Sequence, residues 1–140
     1  MRLSAFIVNA FAEDLACGNP AGVVFSEEAL PDRTMRDLAA DLGKSETAFL
    51  TPRGRDYGIR WFSPLKEMPL CGHATLAAAW VIFGRERDRA GIEFSHAGGA
   101  IVARGAGDGF IGLTFPLDGY ERLEPDPEWL GLLGLDRAED

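Results

Sequence analysis

Three short stretches of the sequence carry residue types that do chemistry. The first is Ser45-Glu46-Thr47-Ala48-Phe49. Read as the start of a strand, it puts Glu46 on one face with Ala48 and Leu50, because side chains alternate along a strand. A carboxylate on an apolar face is partly dehydrated, and dehydration moves a carboxyl group toward proton transfer near neutrality. The plainer alternative is a strand-end Glu that reaches solvent. The second stretch is Cys71-Gly72-His73-Ala74-Thr75. If it opens a helix, unpaired backbone N–H groups and a partial positive charge collect there. That suits a substrate carboxylate. Gly72 lets a ligand approach the backbone, and His73 can donate a hydrogen bond or carry a proton. Cys71 is a candidate thiol base, since a helix start lowers a thiol pKa. The alternative is a structural buried Cys beside a His that caps its own helix. The third stretch is Gly18-Asn19-Pro20-Ala21-Gly22. It offers the Asn19 amide to a pocket, or it is only a tight turn.

Other chemistries find less support. His73 and His96 are the only histidines and have no paired ligand spacing, so no metal site is expected. No glycine-rich phosphate cradle follows a strand. A Ser-His-Asp triad has no strained strand-to-helix Ser turn to carry it.

The elements that must hold these residues are legible in outline. Residues 3–11, 21–25, 47–51, 57–63, 92–94, 100–104 and 110–115 read as strands, rich in apolar, aromatic and β-branched residues. Gly18-Asn19-Pro20 and Pro52 to Asp56 read as turns. Residues 31–42 read as a surface helix, with Met35, Leu38, Ala39 and Leu42 in one apolar stripe and Gly43 at its end. Residues 72–83 are alanine-rich and apolar nearly all round, which predicts a central helix buried on every side and ended by Gly84. A short helix opens at Pro125 to Leu130, and Leu135 to Asp140 form a polar end. Together these elements predict an α+β domain with sheet wrapped around a central helix at about 72–84.

Composition narrows the function. The 140 residues are 46% hydrophobic and 26% charged, enough for one domain with a real core. The formal net charge of -8 makes nucleic acid an unsuitable partner. No run reaches the roughly 18–20 apolar residues of a membrane span, and the N-terminus does not read as a signal peptide. Cys17 and Cys71 form no disulfide framework, so the cytoplasm is the expected compartment.

In this order the motifs resemble the N-terminal half of the PhzF-like (phenazine biosynthesis-like) family. They are Asn9-Ala10-Phe11, Gly18-Asn19-Pro20-Ala21-Gly22, Ser45-Glu46-Thr47, Ile59-Arg60-Trp61-Phe62-Ser63-Pro64, Leu70-Cys71-Gly72-His73-Ala74-Thr75 and Gly112-Leu113-Thr114-Phe115-Pro116. The resemblance implies one domain of the diaminopimelate-epimerase-like fold, a mixed β-sheet or barrel wrapped around a central helix. It implies a cofactor-independent isomerase that shifts a proton on a small carboxylic or amino acid. Glu46 matches the family's catalytic acid/base, and Asn19, Gly72 and His73 match its substrate-binding positions. It also implies a domain over residues 1–120, with 121–140 starting a connection toward a second domain.

Two departures matter. Cys71 stands where phenazine-forming members are apolar, and where related racemases and epimerases place a catalytic Cys. A thiol-dependent racemase therefore stays open, as does a non-catalytic small-acid-binding or interaction domain. The chain is also about half the family's usual length. The rest of the site is then expected from a missing C-terminal half-domain or from a homodimer.

Overall fold

The computed structural model describes residues 3–14, 17–117, 119, 126–132 and 134. The elements in chain order are β1 (Ser4–Ala10), β2 (Asn19–Phe25), α1 (Asp32–Leu42), β3 (Thr47–Arg53), β4 (Asp56–Phe62), β5 (Glu67–Met68), α2 (Gly72–Arg85), β6 (Gly91–His96), β7 (Gly99–Gly107), β8 (Phe110–Thr114) and α3 (Pro127–Leu132). Seven strands run in the order β1-β2-β3-β4-β6-β7-β8, and the two-residue β5 pairs with β4 off that path. The pairs β2–β3 and β4–β6 are parallel and the others antiparallel, so the sheet is mixed, as expected.

The strand period of two sorts the core. Ala21 and Val23 of β2, Ala48 and Leu50 of β3, and Ile59 and Trp61 of β4 turn to one face and pack with Ala74, Ala77, Ala78 and Ile82 of α2. The residues between them turn the other way. Val24, Phe49 and Phe62 pack with Met35 and Ala39 of α1. The alanines of α2 let the helix lie close to the sheet. α1 ends as its sequence predicts, with Gly43 at φ 62° and its N–H donating to Ala39 O and Ala40 O.

Four expectations are corrected. Gly84 does not end α2. The helix runs to Arg85, whose guanidinium sits 4.6 Å from the Phe6 ring centre and 4.8 Å from that of Phe25. Those cation–π contacts hold the last turn, and the Glu86 N–H closes it on Ile82 O. Second, α2 is not covered on every side. Trp80 is 58% exposed, and the sheet is a half-barrel around the helix. Third, Asn19 and Pro20 lie inside β2, not in a turn. The Gly22 N–H donates to Glu46 O on the β3 side, so the Pro20 nitrogen points to the same side, where β3 has not yet begun. Its missing N–H therefore costs no ladder bond. The turn residue proper is Gly18, at φ 98°. Fourth, the last helix starts at Pro127, with Asp126 Oδ1 accepting the Glu128 N–H at 2.8 Å. Most of the strands also run one to three residues beyond the apolar cores that mark them in the sequence. The polar end at 135–140 and Pro125 lie outside the described residues. No helix among those described is long and apolar enough to cross a membrane.

Gly22 has a packing reason to be glycine. A Cβ there would collide with both branches of the Thr47 side chain on the neighbouring strand. Thr47 is fully buried and β-branched, so it has little freedom to turn aside. Gly22→Ala is expected to destabilise the domain by about 1–3 kcal/mol through overpacking, read as a lower urea midpoint with unchanged slope.

Candidate active site

The site is built where two chain segments start beside each other. β2 and β3 are parallel, so their N-terminal ends lie at one end of the sheet. Glu46 immediately precedes β3. Its carbonyl is held by the Gly22 N–H at 3.0 Å. It shares strand parity with Ala48 and Leu50, and so is turned toward α2. Asn19 opens β2 with the parity of Ala21 and Val23, placing it on the α2 face at the same sheet end, where it is exposed.

The start of α2 is brought there by a buried hydrogen-bond chain. Trp61 pairs with Ala48 across β3–β4. Its indole N–H donates to Thr75 Oγ1 at 3.0 Å, and the Thr75 hydroxyl donates to the Cys71 carbonyl at 2.7 Å. The Thr75 N–H reaches that same carbonyl at 3.1 Å as the first helical bond. Cys71 is the extended N-cap, at φ -148° and ψ 104°. Trp61 and Thr75 are the positioning residues that sequence reasoning missed. Strand parity was the available signal: Trp61 falls on the face of Ile59, toward the helix.

Glu46, Cys71 and His73 thus converge. His73 Nε2 lies 3.5 Å from Glu46 Oε2, and His73 Nδ1 lies 3.4 Å from Cys71 Sγ. The His73 side chain is 11% exposed and that of Glu46 is 21% exposed. The Nε2–carboxylate approach satisfies an ion-pair distance but not hydrogen-bond geometry, so buried Nε2 has no aligned partner. Gly72, the first residue of α2, stands between Cys71 and His73 in sequence. Among the described residues, a Cβ there would meet only Phe115, at 3.6 Å. Packing within the domain therefore does not require glycine at this position. The three ligand-type atoms lie within 4.8 Å of one another, a grouping that spacing in sequence did not show. The imidazole offers a different nitrogen to each neighbour, so one ion could not use both contacts as they stand. Among the described residues, two clefts of about 620 Å³ and one of about 360 Å³ lie elsewhere, lined by other residues than Glu46, Cys71 and His73. The trio is instead mostly buried, with Glu46 keeping the most exposure.

Comparison with known proteins decides the relationship. Residues 8–123 match the family described as "Phenazine biosynthesis-like protein". The chain belongs to this PhzF-like family. An "Uncharacterized isomerase" of Pseudomonas aeruginosa is 38% identical over 140 residues, covering 99% of this chain and 54% of that protein. The crystal structure of a PhzF-family protein from Enterococcus faecalis superposes with a TM-score of 0.77 at 38% identity, over 93% of this chain and 50% of that one. A hydroxyproline epimerase from Agrobacterium vitis shares the fold alone, with a TM-score of 0.56 at 15% identity over 81% of this chain and 41% of that one. The expected fold is thus found: one half of a diaminopimelate-epimerase-like architecture. The chain spans about half the length of the PhzF-like relatives it matches.

Electrostatics at Cys71 run against the helix-start expectation. Burial pushes the thiol pKa up, the Ala74 amide pulls it down, and the Glu46 charge adds to the rise. The net direction is upward from the ordinary value, so at neutral pH the thiolate is scarcer, not richer. Desolvation in a buried cap outweighs the helix end. Cys71 should therefore alkylate slowly with iodoacetamide, behind exposed Cys17. Glu46→Gln removes the charge that adds to the rise. It should speed Cys71 alkylation measured by peptide mass spectrometry, by less than the gain in thiolate because a less basic thiolate is also less nucleophilic.

Proposed function

We propose that this chain is the first half of a cofactor-independent isomerase acting on a small carboxylic or amino acid. The observation that carries the reading is the convergence of Glu46 and His73 at the start of α2 in a PhzF-like domain. In this reading the Glu46 carboxylate takes a proton from one carbon of the substrate. The C–H electron pair moves into the substrate's π system. Glu46 then delivers the proton to another carbon, and the carboxylate is restored. The reaction is a shift within one molecule and needs no oxidant or reductant. His73 donates toward the substrate or the carboxylate, Asn19 offers its amide from the same sheet end, and Gly72 leaves the substrate carboxylate room at the first turn of α2. A name that includes "isomerase" on a relative 38% identical supports the reaction class.

Residues 1–120 form the domain in this proposal, and 121–140 begin the connection to a second one. The facing half of the cleft comes from that second domain or from a second copy of this chain. Self-association is expected for the chain alone, since Phe11, Trp80 and Phe110 leave apolar surface open. Light scattering at several concentrations should show reversible formation of a dimer. A strictly monomeric chain would assign the facing half to another domain.

Cys71 as a thiol base is the second reading, favoured by its place within reach of His73 and opposed by the upward shift of its thiol. Proton exchange of small unsaturated and amino acids in heavy water separates the two. Glu46→Gln is expected to lower exchange by about 10²–10⁴-fold, the usual contribution of a general acid/base. Undiminished exchange in that variant, with loss in Cys71→Ala, would transfer the role to the thiol. Ligand binding without exchange in every form would make the chain a binding module.

A further inference from the structure

The His73 ring is held between two neighbours with opposite requirements. One side of it faces Cys71 Sγ through Nδ1, the other faces Glu46 Oε2 through Nε2. A neutral imidazole has one donor nitrogen and one acceptor nitrogen, and a carboxylate only accepts. Two proton placements are available. With the proton on Nδ1, the ring donates to sulfur and turns a lone pair against the carboxylate. With the proton on Nε2, the ring turns a donor toward the carboxylate and accepts from the thiol.

We propose that Cys71 is a positioning residue whose S–H donates to His73 Nδ1, fixing the neutral ring with its proton on Nε2, the nitrogen on the Glu46 side. The cap geometry keeps the sulfur in place. The Cys71 carbonyl is fixed by both the Thr75 N–H and the Thr75 hydroxyl, and Thr75 is in turn held by Trp61. Cys71 is 8% exposed and the His73 side chain 11%, so water has little access to replace either partner. Burial and the neighbouring Glu46 charge favour the protonated thiol, the form that can donate. Cys71 in this role keeps its proton throughout, and so differs from the thiol base considered above. The inference refines the proposed site, but its test reads the ring and not turnover, so either can fail without the other.

The test uses the full chain with ¹⁵N-labelled histidine and two-bond ¹H–¹⁵N correlation, above the ordinary histidine pKa of about 6.5. His73 and His96 are the only histidines, and a His96→Asn variant assigns the pair. Native His73 is expected to show one neutral tautomer, protonated at Nε2 and accepting at Nδ1. Cys71→Ala should lose the acceptor signature at Nδ1 and mix in the other tautomer. Cys71→Ser should restore the native pattern, because a hydroxyl also donates. A native ring protonated at Nδ1, or at both nitrogens, overturns the proposal. So does an Ala variant indistinguishable from native, or a folded Ser variant that does not rescue. If the Ala variant does not fold, the native spectrum and the Ser variant still decide.

Discussion

The hydrogen-bond chain from Trp61 through Thr75 to the Cys71 carbonyl is the constraint on which the site depends. An indole N–H can only donate. The Thr75 hydroxyl must therefore accept from it and donate its own hydrogen bond to the Cys71 carbonyl. Both side chains are buried, and both find partners. Leaving either group unpaired would cost about 1–3 kcal/mol. Trp61 stands on β4 opposite Ala48, two residues beyond Glu46. The chain thus ties the first turn of α2 to the part of the sheet that carries the carboxylate. Without it, the alanine-rich face of α2 would offer little to fix the helix along its axis, because small side chains pack without deep interlocking. Burial brings helix and sheet together; the directional bonds set which residues meet.

What the sequence revealed, and what it did not, divides along that line. Apolar stripes and turn residues were enough for α1, whose Pro31 start and Gly43 cap are local features. Strand parity placed Glu46 toward the core side, and composition identified α2 as central. What local pattern could not show was how much of α2 the sheet would cover. An all-round apolar helix reads as fully buried, yet Trp80 faces the gap between β1 and β8. Nor could it show that Pro20 belongs to a strand, since that rests on where the neighbouring strand begins. Glu46, Cys71 and His73 were each visible as candidates. Their meeting was not, because it depends on the Trp61–Thr75 link between elements distant in sequence. The helix-start argument for an acidic thiol failed for the same reason: it counts the helix end and omits burial and the neighbouring carboxylate.

One stripe of α2 runs from the proposed site to the exposed Trp80, although Ala77 on it is already covered. His73, Leu76, Ala77 and Trp80 are spaced three, four and seven residues from the first, so they share a face of α2. Leu76, Ala77 and Trp80 line the cleft of about 620 Å³ between the edges β1 and β8, with Phe11 and Phe110 at its margins. His73 begins the same stripe at the sheet end where Glu46 and Asn19 are found. The helix face that ends at exposed Trp80 therefore begins at the proposed chemistry. A segment that filled the gap would bury Trp80, remove water from the helix flank and bring its own groups near the first turn.

In the proposed reading, this connection bears on what the domain alone can contribute to a site. Proton transfer at carbon needs the carboxylate dry and the carbon acid held still. The domain supplies orientation by itself: the cap is fixed, the strands are in register, and the His73 ring is mostly buried. It supplies only part of the dryness, since Glu46 retains 21% of its side-chain exposure. Orientation and water exclusion are thus separable here. The first is encoded in bonds within the domain, and the second falls to whatever covers the stripe from His73 to Trp80. On this view, covering that face changes the solvation around Glu46 far more than its geometry.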